Sequence, residues 1–427
     1  MEFMSRKKVV IIGGGFAGLH VARALRHAED EILLIDKSNH HLFQPLLYEV
    51  ATAALSPGEI ATPLREILRR QENTSVIMGE VIEIDKVHKT ITIANGEKRS
   101  FDVLIVAIGS HHSYFGNDHW ERFAPGLKTI NDAISIRQQI LISFEKAERM
   151  DSISTAEKYL NFVVIGGGPT GVEMAGALAE IAYKTMFKNF RRIQPEEANI
   201  FLIEALPHIL PTFPEKLRIR ARSDLERMGV HVMTGQKVTN ITEEGVQTEE
   251  RFFSAKNIIW AAGNQTSPLL KMLEAPQDRQ GRILVASDLS IPNYEDIFVL
   301  GDAAHCKGRD GNPLPGIAPV AIQMGKYVGK ILKEHLPKSQ RKPFHYLDKG
   351  TLATIGKLKA VGVIGKFQVT GFIAWNIWAF IHILYLIGYR DRLGVMLEWA
   401  AILLTGQRGV RLITRSIDSE LPTQRSA

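Results

Sequence analysis

The chain reads as an α/β protein built on two parallel sheets covered by helices, and two observations predict this. The first is a pair of glycine-rich turns, VVIIGGGFAG at Val9–Gly18 and FVVIGGGPTG at Phe162–Gly171, each directly after an apolar run of strand type. The second is the alternation of short apolar strands with helical segments, which argues for parallel sheets with helices on both faces. A third signal, an apolar and basic stretch near the C-terminus, adds a helical segment of different character.

Taken in order, Val9–Ile12 is expected as a strand, Ala17–His27 as a helix and Ile32–Ile35 as a strand. A loop, HHLFQPLLYEVATAALSPGEIATPLREIL, leads into a short helix ending near Arg70. Alternating strands follow, with Asn95-Gly96 as a hairpin turn, since both residues tolerate positive φ. The run DVLIVAIG closes this part. A second strand–helix–strand unit spans Tyr159–Glu204, then a helix over Glu215–Met228, the strand run NIIWAAG at Asn257–Gly263, the run DIFVLGDAAH and the helix APVAIQMGKYVGKILKEHL. The near repetition predicts two Rossmann-like dinucleotide-binding domains, the second inserted into the first. The expected boundaries are 1–115 and 264–345 for the two parts of the first domain, 116–263 for the inserted one and 346–427 for a C-terminal region.

Each glycine turn has a local physical reason. Gly13 and Gly166 permit a tight turn out of a strand. Gly15 and Gly168 let the backbone approach a pyrophosphate, and Gly18 and Gly171 let the next helix pack close to the sheet. The helix N-terminus then offers unpaired N–H groups to the phosphates. A carboxylate at the end of the following strand suits ribose hydroxyls. Asp36 stands 18 residues after Gly18, and Glu204 stands 33 after Gly171, so the second crossover carries an insertion near Tyr183–Glu197. Two dinucleotides in one polypeptide imply that electrons pass between them.

Composition excludes several classes. A length of 427 residues suggests two or three domains, and 45% hydrophobic with 23% charged residues is an ordinary globular balance. The single cysteine, Cys306, excludes an intrachain disulfide or redox cysteine pair and reads as a small buried residue. The N-terminus lacks the apolar core of a signal peptide, which places the chain in a reducing compartment as an expectation. Residues 366–415 carry Lys366, Arg390, Arg392, Arg408, Arg411 and Arg415 against Asp391 and Glu398, in a very apolar context. That combination favours an anionic membrane surface over nucleic acid. No metal-ligand cluster or Ser-His-Asp arrangement is legible. His40-His41 and His111-His112 read as solvated or structural residues of loops.

These residues resemble the two-dinucleotide-binding-domain flavoproteins, of the pyridine nucleotide-disulfide reductase type, and within them the type II NADH:quinone oxidoreductases. The resemblance runs from about Lys7 to Arg415. GGGFAGL at Gly13–Leu19 and VLGDAAH at Val299–His305 resemble the FAD signatures, and GGGPTGVE at Gly166–Glu173 the NADH signature. Ala107–Gly109 and Ala261–Gly263 match the crossover turns, while FQPLLYEVATAAL and the C-terminal segment are more specific to this family. The resemblance implies that FAD is bound through Gly13, Gly15, Phe16, Ala17, Gly18, Asp36, Lys37, Gly109, Gly301, Asp302 and Ala321. It implies that NADH, as substrate, is bound through Gly166, Gly168, Gly171, Glu204 and Gly263, with Glu173 near the nicotinamide. Glu204 would repel a 2′-phosphate, which favours NADH over NADPH. In the stretch APVAIQ, Ala318–Gln323, Gln323 matches the second glutamine of the family's flavin–quinone motif, but Pro319 replaces the first. Glu173 and Gln323 are the expected catalytic residues, and no metal is expected.

Residues 370–387, TGFIAWNIWAFIHILYLI, are nearly all apolar, and GVMLEWAAILLTG follows. A span needs roughly 20 apolar residues, so an in-plane helix fits these lengths better, although a two-span hairpin stays open. With the resemblance, this implies a membrane quinone as acceptor and a peripheral, monotopic location on the cytoplasmic face of the inner membrane. A homodimer is left open. The competing readings are a soluble NADH-dependent flavoprotein that reduces a ferredoxin or rubredoxin, and a membrane-tethered redox sensor.

Overall fold

The structure, a computed structural model, describes residues 6–414, so Arg415 lies outside the described residues. In chain order, the strands that build the site are β1 (Lys8–Ile12), β2 (Glu31–Asp36), β3 (His40–Leu42), β4 (Thr74–Met78), β5 (Val103–Val106), β6 (Asn161–Ile165), β7 (Asn199–Glu204), β8 (Val230–Thr234), β9 (Asn257–Trp260), β10 (Ser290–Ile291), β11 (Tyr294–Val299), β12 (Thr351–Thr354), β13 (Ala360–Ile364) and β14 (Phe367–Thr370). The helices that matter for the site are α1 (Phe16–Ala24), α2 (Leu47–Ala51), α3 (Ile130–Arg149), α4 (Pro169–Glu180), α5 (Ala318–Lys333), α6 (Gly371–Tyr385) and α7 (Tyr389–Thr405). Two compact units divide the chain. The first gathers the residues up to Leu42, Ala61–His111 and Asn264–Asp348, and the second gathers Phe43–Ile60, His112–Gly263 and the residues from Lys349 onward.

The first unit holds a six-stranded sheet in the order β10-β11-β5-β1-β2-β4. Its strands run parallel except at the β10 edge. The segments VVII of β1 and VLIV of β5 are buried throughout, the continuous apolar pattern of a parallel strand covered on both faces. Helix α1 stops at Ala24, three residues before the expected end, with a backbone turn through Leu25. It packs on α5, where a Cβ on Gly325 would lie 2.4 Å from the Ala17 carbonyl oxygen. Pro319 sits in the first turn of α5, where its missing N–H costs no helical hydrogen bond. The Asn95-Gly96 turn is a hairpin tip, with Gly96 at φ +87°.

The second unit repeats the plan with a four-stranded parallel sheet, β8-β7-β6-β9. Its core joins Val163, Ile165, Ile203 and Ile258 to an aromatic group of Tyr114, Trp120 and Trp260. The insertion after α4 begins with a π-turn at Ile181–Thr185 and ends in a 3-10 turn at Pro195–Glu197. Helix α3 starts in a capping box between Thr129 and Asp132. The three-stranded antiparallel sheet β12-β13-β14 leads into α6 and α7. The long apolar run is thus broken into two helices, with Gly388 at φ +93° before α7. Each turns one face inward: Ala374, Trp378 and Ala379 on α6, and Asp391, Val395 and Trp399 on α7. The opposite faces leave Phe372, Ile373, Phe380, Leu384, Leu393 and Leu397 more than half exposed. Among the described residues no helix is long and apolar enough to cross a membrane.

Candidate functional site

In the first unit the chain leaves β1 through Gly13, whose φ of +101° and 2.3 Å approach of a hypothetical Cβ to the Ala107 carbonyl oxygen admit only glycine. A Cβ on Gly18 would stand 1.9 Å from the Gly13 carbonyl oxygen, whereas one on Gly15 would meet nothing within 4 Å. The space beside Gly15 is therefore open, at the mouth of a helix with no side-chain cap and no acidic residue in its first turn. Those are the conditions an anionic pyrophosphate needs. Asp36 accepts hydrogen bonds from the Gly14 amide (2.6 Å) and from the Ser38 amide and hydroxyl (2.7 and 2.6 Å), so its carboxylate is held against the loop.

His40 and His41 lie on β3, not in a loop: the strand pairs with Ala61–Pro63. His41 is buried, its Nδ1 is 3.0 Å from the Gly14 carbonyl oxygen and its ring meets Phe16 edge-on. Burial lowers its pKa, so it supports the glycine turn as a neutral imidazole. Lys37 is exposed, and Ala17 and Ala321 are buried. Gly109 and Gly301 take positive φ at strand exits. Asp302 accepts from the Ser110 hydroxyl at 2.7 Å. The Gln323 amide is engaged twice with the Leu347 backbone, donating to its carbonyl and accepting from its N–H, both at 2.9 Å.

The second unit repeats this arrangement. A Cβ on Gly171 would be 1.8 Å from the Gly166 carbonyl oxygen, and one on Gly168 would meet nothing within 4 Å. Glu204 accepts from the Gly167 amide (2.5 Å) and the Leu206 amide (2.7 Å), as Asp36 does from Gly14 and Ser38. Gly263 takes φ +67° at the exit of β9.

Glu173, on α4, faces a cleft within the second unit. Tyr48 and Glu49 of α2, Glu180 of α4, Thr354 of β12, Lys357, Trp375 of α6, Trp399 of α7 and Arg408 also line it. Burial raises the Glu173 carboxyl to about 8, and the neighbouring charge of Glu49 adds to the rise. Burial likewise raises Glu49 to about 7, although the Trp399 indole N–H and Arg408 favour its ionised form. Trp399 Nε1 donates to Glu49 at 2.7 Å, and the Tyr48 hydroxyl donates to its other oxygen at 3.1 Å. Arg408 is spent elsewhere, on Glu180 (2.8 Å) and on the Thr52 carbonyl and hydroxyl (2.7 Å each).

A family model described as pyridine nucleotide-disulphide oxidoreductase matches residues 7–325. The type II NADH:quinone oxidoreductase Ndh of Mycobacterium tuberculosis is 42% identical over 424 residues, covering 96% of this chain and 90% of that one. A type II NADH:quinone oxidoreductase of Staphylococcus aureus is 30% identical over 376 residues, 86% of this chain and 92% of that one. The chain belongs to the type II NADH:quinone oxidoreductases. It is an enzyme that couples NADH oxidation to quinone reduction.

A solved structure of NDH2 from Plasmodium falciparum in complex with NADH shares the fold, with a TM-score of 0.86 at 20% identity over 95% of this chain and 99% of that one. The sulfide:quinone oxidoreductase of Aquifex aeolicus shares it more loosely, with a TM-score of 0.71 at 17% identity over 95% and 96%. For this type II NADH:quinone oxidoreductase, Cys306 is the single cysteine and is buried, so the fold shared with disulfide-using relatives carries no cysteine pair here. Sequence reading singled out Glu173 but missed Tyr48, Glu49, Thr354, Trp399 and Arg408 around it. One signal was available for Glu49: a lone acid inside the apolar run LLYEVATAAL is a burial cue.

Proposed function

We propose that the enzyme is a flavoprotein that takes electrons from NADH into FAD and delivers them to a membrane quinone without pumping protons. The observation that carries this reading is the duplicated glycine turn, each copy with its own amide-clamped carboxylate. In the first unit Gly13, Gly15, Phe16, Ala17 and Gly18 would receive the FAD pyrophosphate at the α1 N-terminus. Asp36 and Lys37 would meet the adenosine ribose, and Gly109, Gly301, Asp302 and Ala321 the flavin half. The open space beside Gly15 and the uncapped helix mouth fit that group. When bound, FAD supplies the electron relay, with flavin N5 taking hydride from nicotinamide C4 and two electrons passing on to the quinone.

In the second unit Gly166, Gly168, Gly171 and Gly263 would hold the NADH pyrophosphate and its flanks, with Glu204 on the ribose. Glu173, raised to about 8, is protonated at neutral pH and can donate a hydrogen bond or a proton. Gln323, tied to Leu347, positions that backbone and leaves one amide N–H for a quinone carbonyl. The exposed apolar faces of α6 and α7, flanked by Arg390 and Arg392, would rest on the lipid surface as a monotopic anchor on the cytoplasmic face of the inner membrane. The direct test is to purify the protein and measure flavin absorbance and NADH oxidation with ubiquinone and menaquinone analogues. A colourless protein, or one that turns over NADH with neither quinone, overturns the reading.

Coenzyme choice gives a sharper expectation. Glu204→Gln keeps an oxygen acceptor for one of the two backbone amides and removes the charge facing the ribose. A hydrogen bond to a charged group is worth roughly 1.5–3 kcal/mol, so kcat/KM for NADH should fall about 10- to 100-fold. NADPH, freed from repulsion, should lose far less. Steady-state kinetics with both coenzymes check this, and an unchanged NADH-to-NADPH ratio would refute the assignment.

A further inference from the structure

We propose that Glu49 is a proton-relay residue for quinone reduction, giving its proton through the hydroxyls of Tyr48 and Thr354 beside Glu173. The proposal rests on the quinone-reducing reading above. Its geometry is a short chain of hydroxyl hydrogen bonds in the cleft lining. Glu49 accepts from the Tyr48 hydroxyl at 3.1 Å, and that hydroxyl lies 3.1 Å from Thr354 Oγ1. The Thr354 backbone N–H bonds Glu173, which holds that carboxyl beside the hydroxyl pair without itself passing a proton. The path runs through a buried interior. Tyr48, Glu49 and Thr354 are all under one-tenth exposed, and burial holds the Tyr48 phenol well above its usual range. A neutral phenol and a neutral threonine hydroxyl can each accept one proton and pass on another.

The reaction needs such a group. In the balanced equation, NADH plus one proton plus quinone gives NAD⁺ plus quinol. The hydride brings both electrons and one proton, so the second proton comes from the medium. A donor for it must hold a proton near neutral pH inside a dry wall of the site. The cations near Glu49 direct their hydrogen bonds elsewhere, although the charge of Arg408 still favours its ionised form. Arg408 is bonded to Glu180 and Thr52, and Lys357 Nζ caps α7 through the Ile402 and Leu403 carbonyls at 2.8 Å each. Packed against α2, helix α3 buries one charged side chain, Arg137, and α4 brings Glu173 and Glu180. On α6, His382 is kept neutral by burial. Glu49 is thus an acid placed to give its proton through Tyr48 and Thr354 towards the quinone and to regain one from the medium.

The test uses the flavin-loaded, full-length enzyme and separates the two half-reactions by stopped flow. Bleaching of flavin absorbance by NADH reports the first, and its return on adding a short-chain quinone reports the second. In the wild type the second rate should fall as pH rises through about 7–8, where the two acids lose their protons. Glu49→Gln, which can still accept from Trp399, should slow the second half-reaction at least tenfold at neutral pH while sparing the first. Tyr48→Phe should slow the same step alone. Trp399→Phe removes a donor that favours the Glu49 carboxylate, so it should move the pH limb upward. A purely structural residue would not shift that limb. The proposal is overturned if Glu49→Gln and Tyr48→Phe reoxidise like the wild type, if both half-reactions fall by the same factor, or if Trp399→Phe leaves the limb in place. Failure of the wild type itself to reoxidise with quinone would strike the quinone reading instead.

Discussion

Replacing Gly15 by valine is expected to leave a folded protein that retains less than a tenth of its flavin. The position is sterically free within the protein, since a Cβ there meets nothing within 4 Å. The added side chain would occupy only the space at the α1 mouth that the pyrophosphate needs. Gly18 provides the contrast. Its Cβ would sit 1.9 Å from the Gly13 carbonyl oxygen, a backbone atom that cannot move without breaking the turn out of β1. Gly18→Ala should therefore yield little soluble protein at all, because the clash displaces α1 from the sheet and from α5. The measurements are flavin absorbance per protein and thermal melting with and without added FAD. A Gly15→Val protein should melt like the flavin-free wild type and gain no stability from FAD, because a ligand stabilises only the state that binds it. If Gly15→Val keeps its yellow colour, the first glycine turn is not the flavin site.

The contrast between Gly15 and Gly18 also marks how much was legible in the sequence. The turn chemistry was readable because it is local: a strand exit, a close approach and a helix start occupy six consecutive positions. Asp36 and Glu204 were readable for a related reason, since parallel strand order places the end of the next strand beside the turn. The acid cleft was not readable. Its lining comes from residues 48–54, 173–180, 354–357, 375 and 399–408, five stretches whose separations in sequence carry no pattern. The histidine pair failed differently. HHL alternates too briefly to signal a strand, yet its pairing with Ala61–Pro63 buries His41 beneath the glycine turn. The apolar run at 370–387 was correctly seen as helical, but the break before Gly388 and the inward faces of Trp378 and Trp399 depend on tertiary packing.

That packing decides how the membrane reading should be tested. Removing the whole C-terminal segment would strip Trp399 from Glu49, Arg408 from Glu180 and the Trp378–Trp399 ring contact at 5.3 Å. A truncated chain would thus lose its cleft together with any anchor, and release from membranes would be uninformative. Substitutions confined to the outer faces avoid this. Phe372, Phe380 and Leu397 are 59%, 67% and 62% exposed and are not among the residues that line the cleft. Each apolar side chain buried in lipid contributes about 1.5–3 kcal/mol, so replacing all three by glutamate should shift the partition at least about a thousandfold. The triple variant is expected in the supernatant after membrane sedimentation, whereas the wild type pellets. Its NADH oxidation with a water-soluble quinone should stay within about twofold, since no cleft residue has changed. Turnover with a long-tailed quinone embedded in vesicles should fall at least tenfold, because the lipid-bound acceptor is then met only by collision. A triple variant that still pellets with membranes would show that α6 and α7 are covered by protein, not lipid.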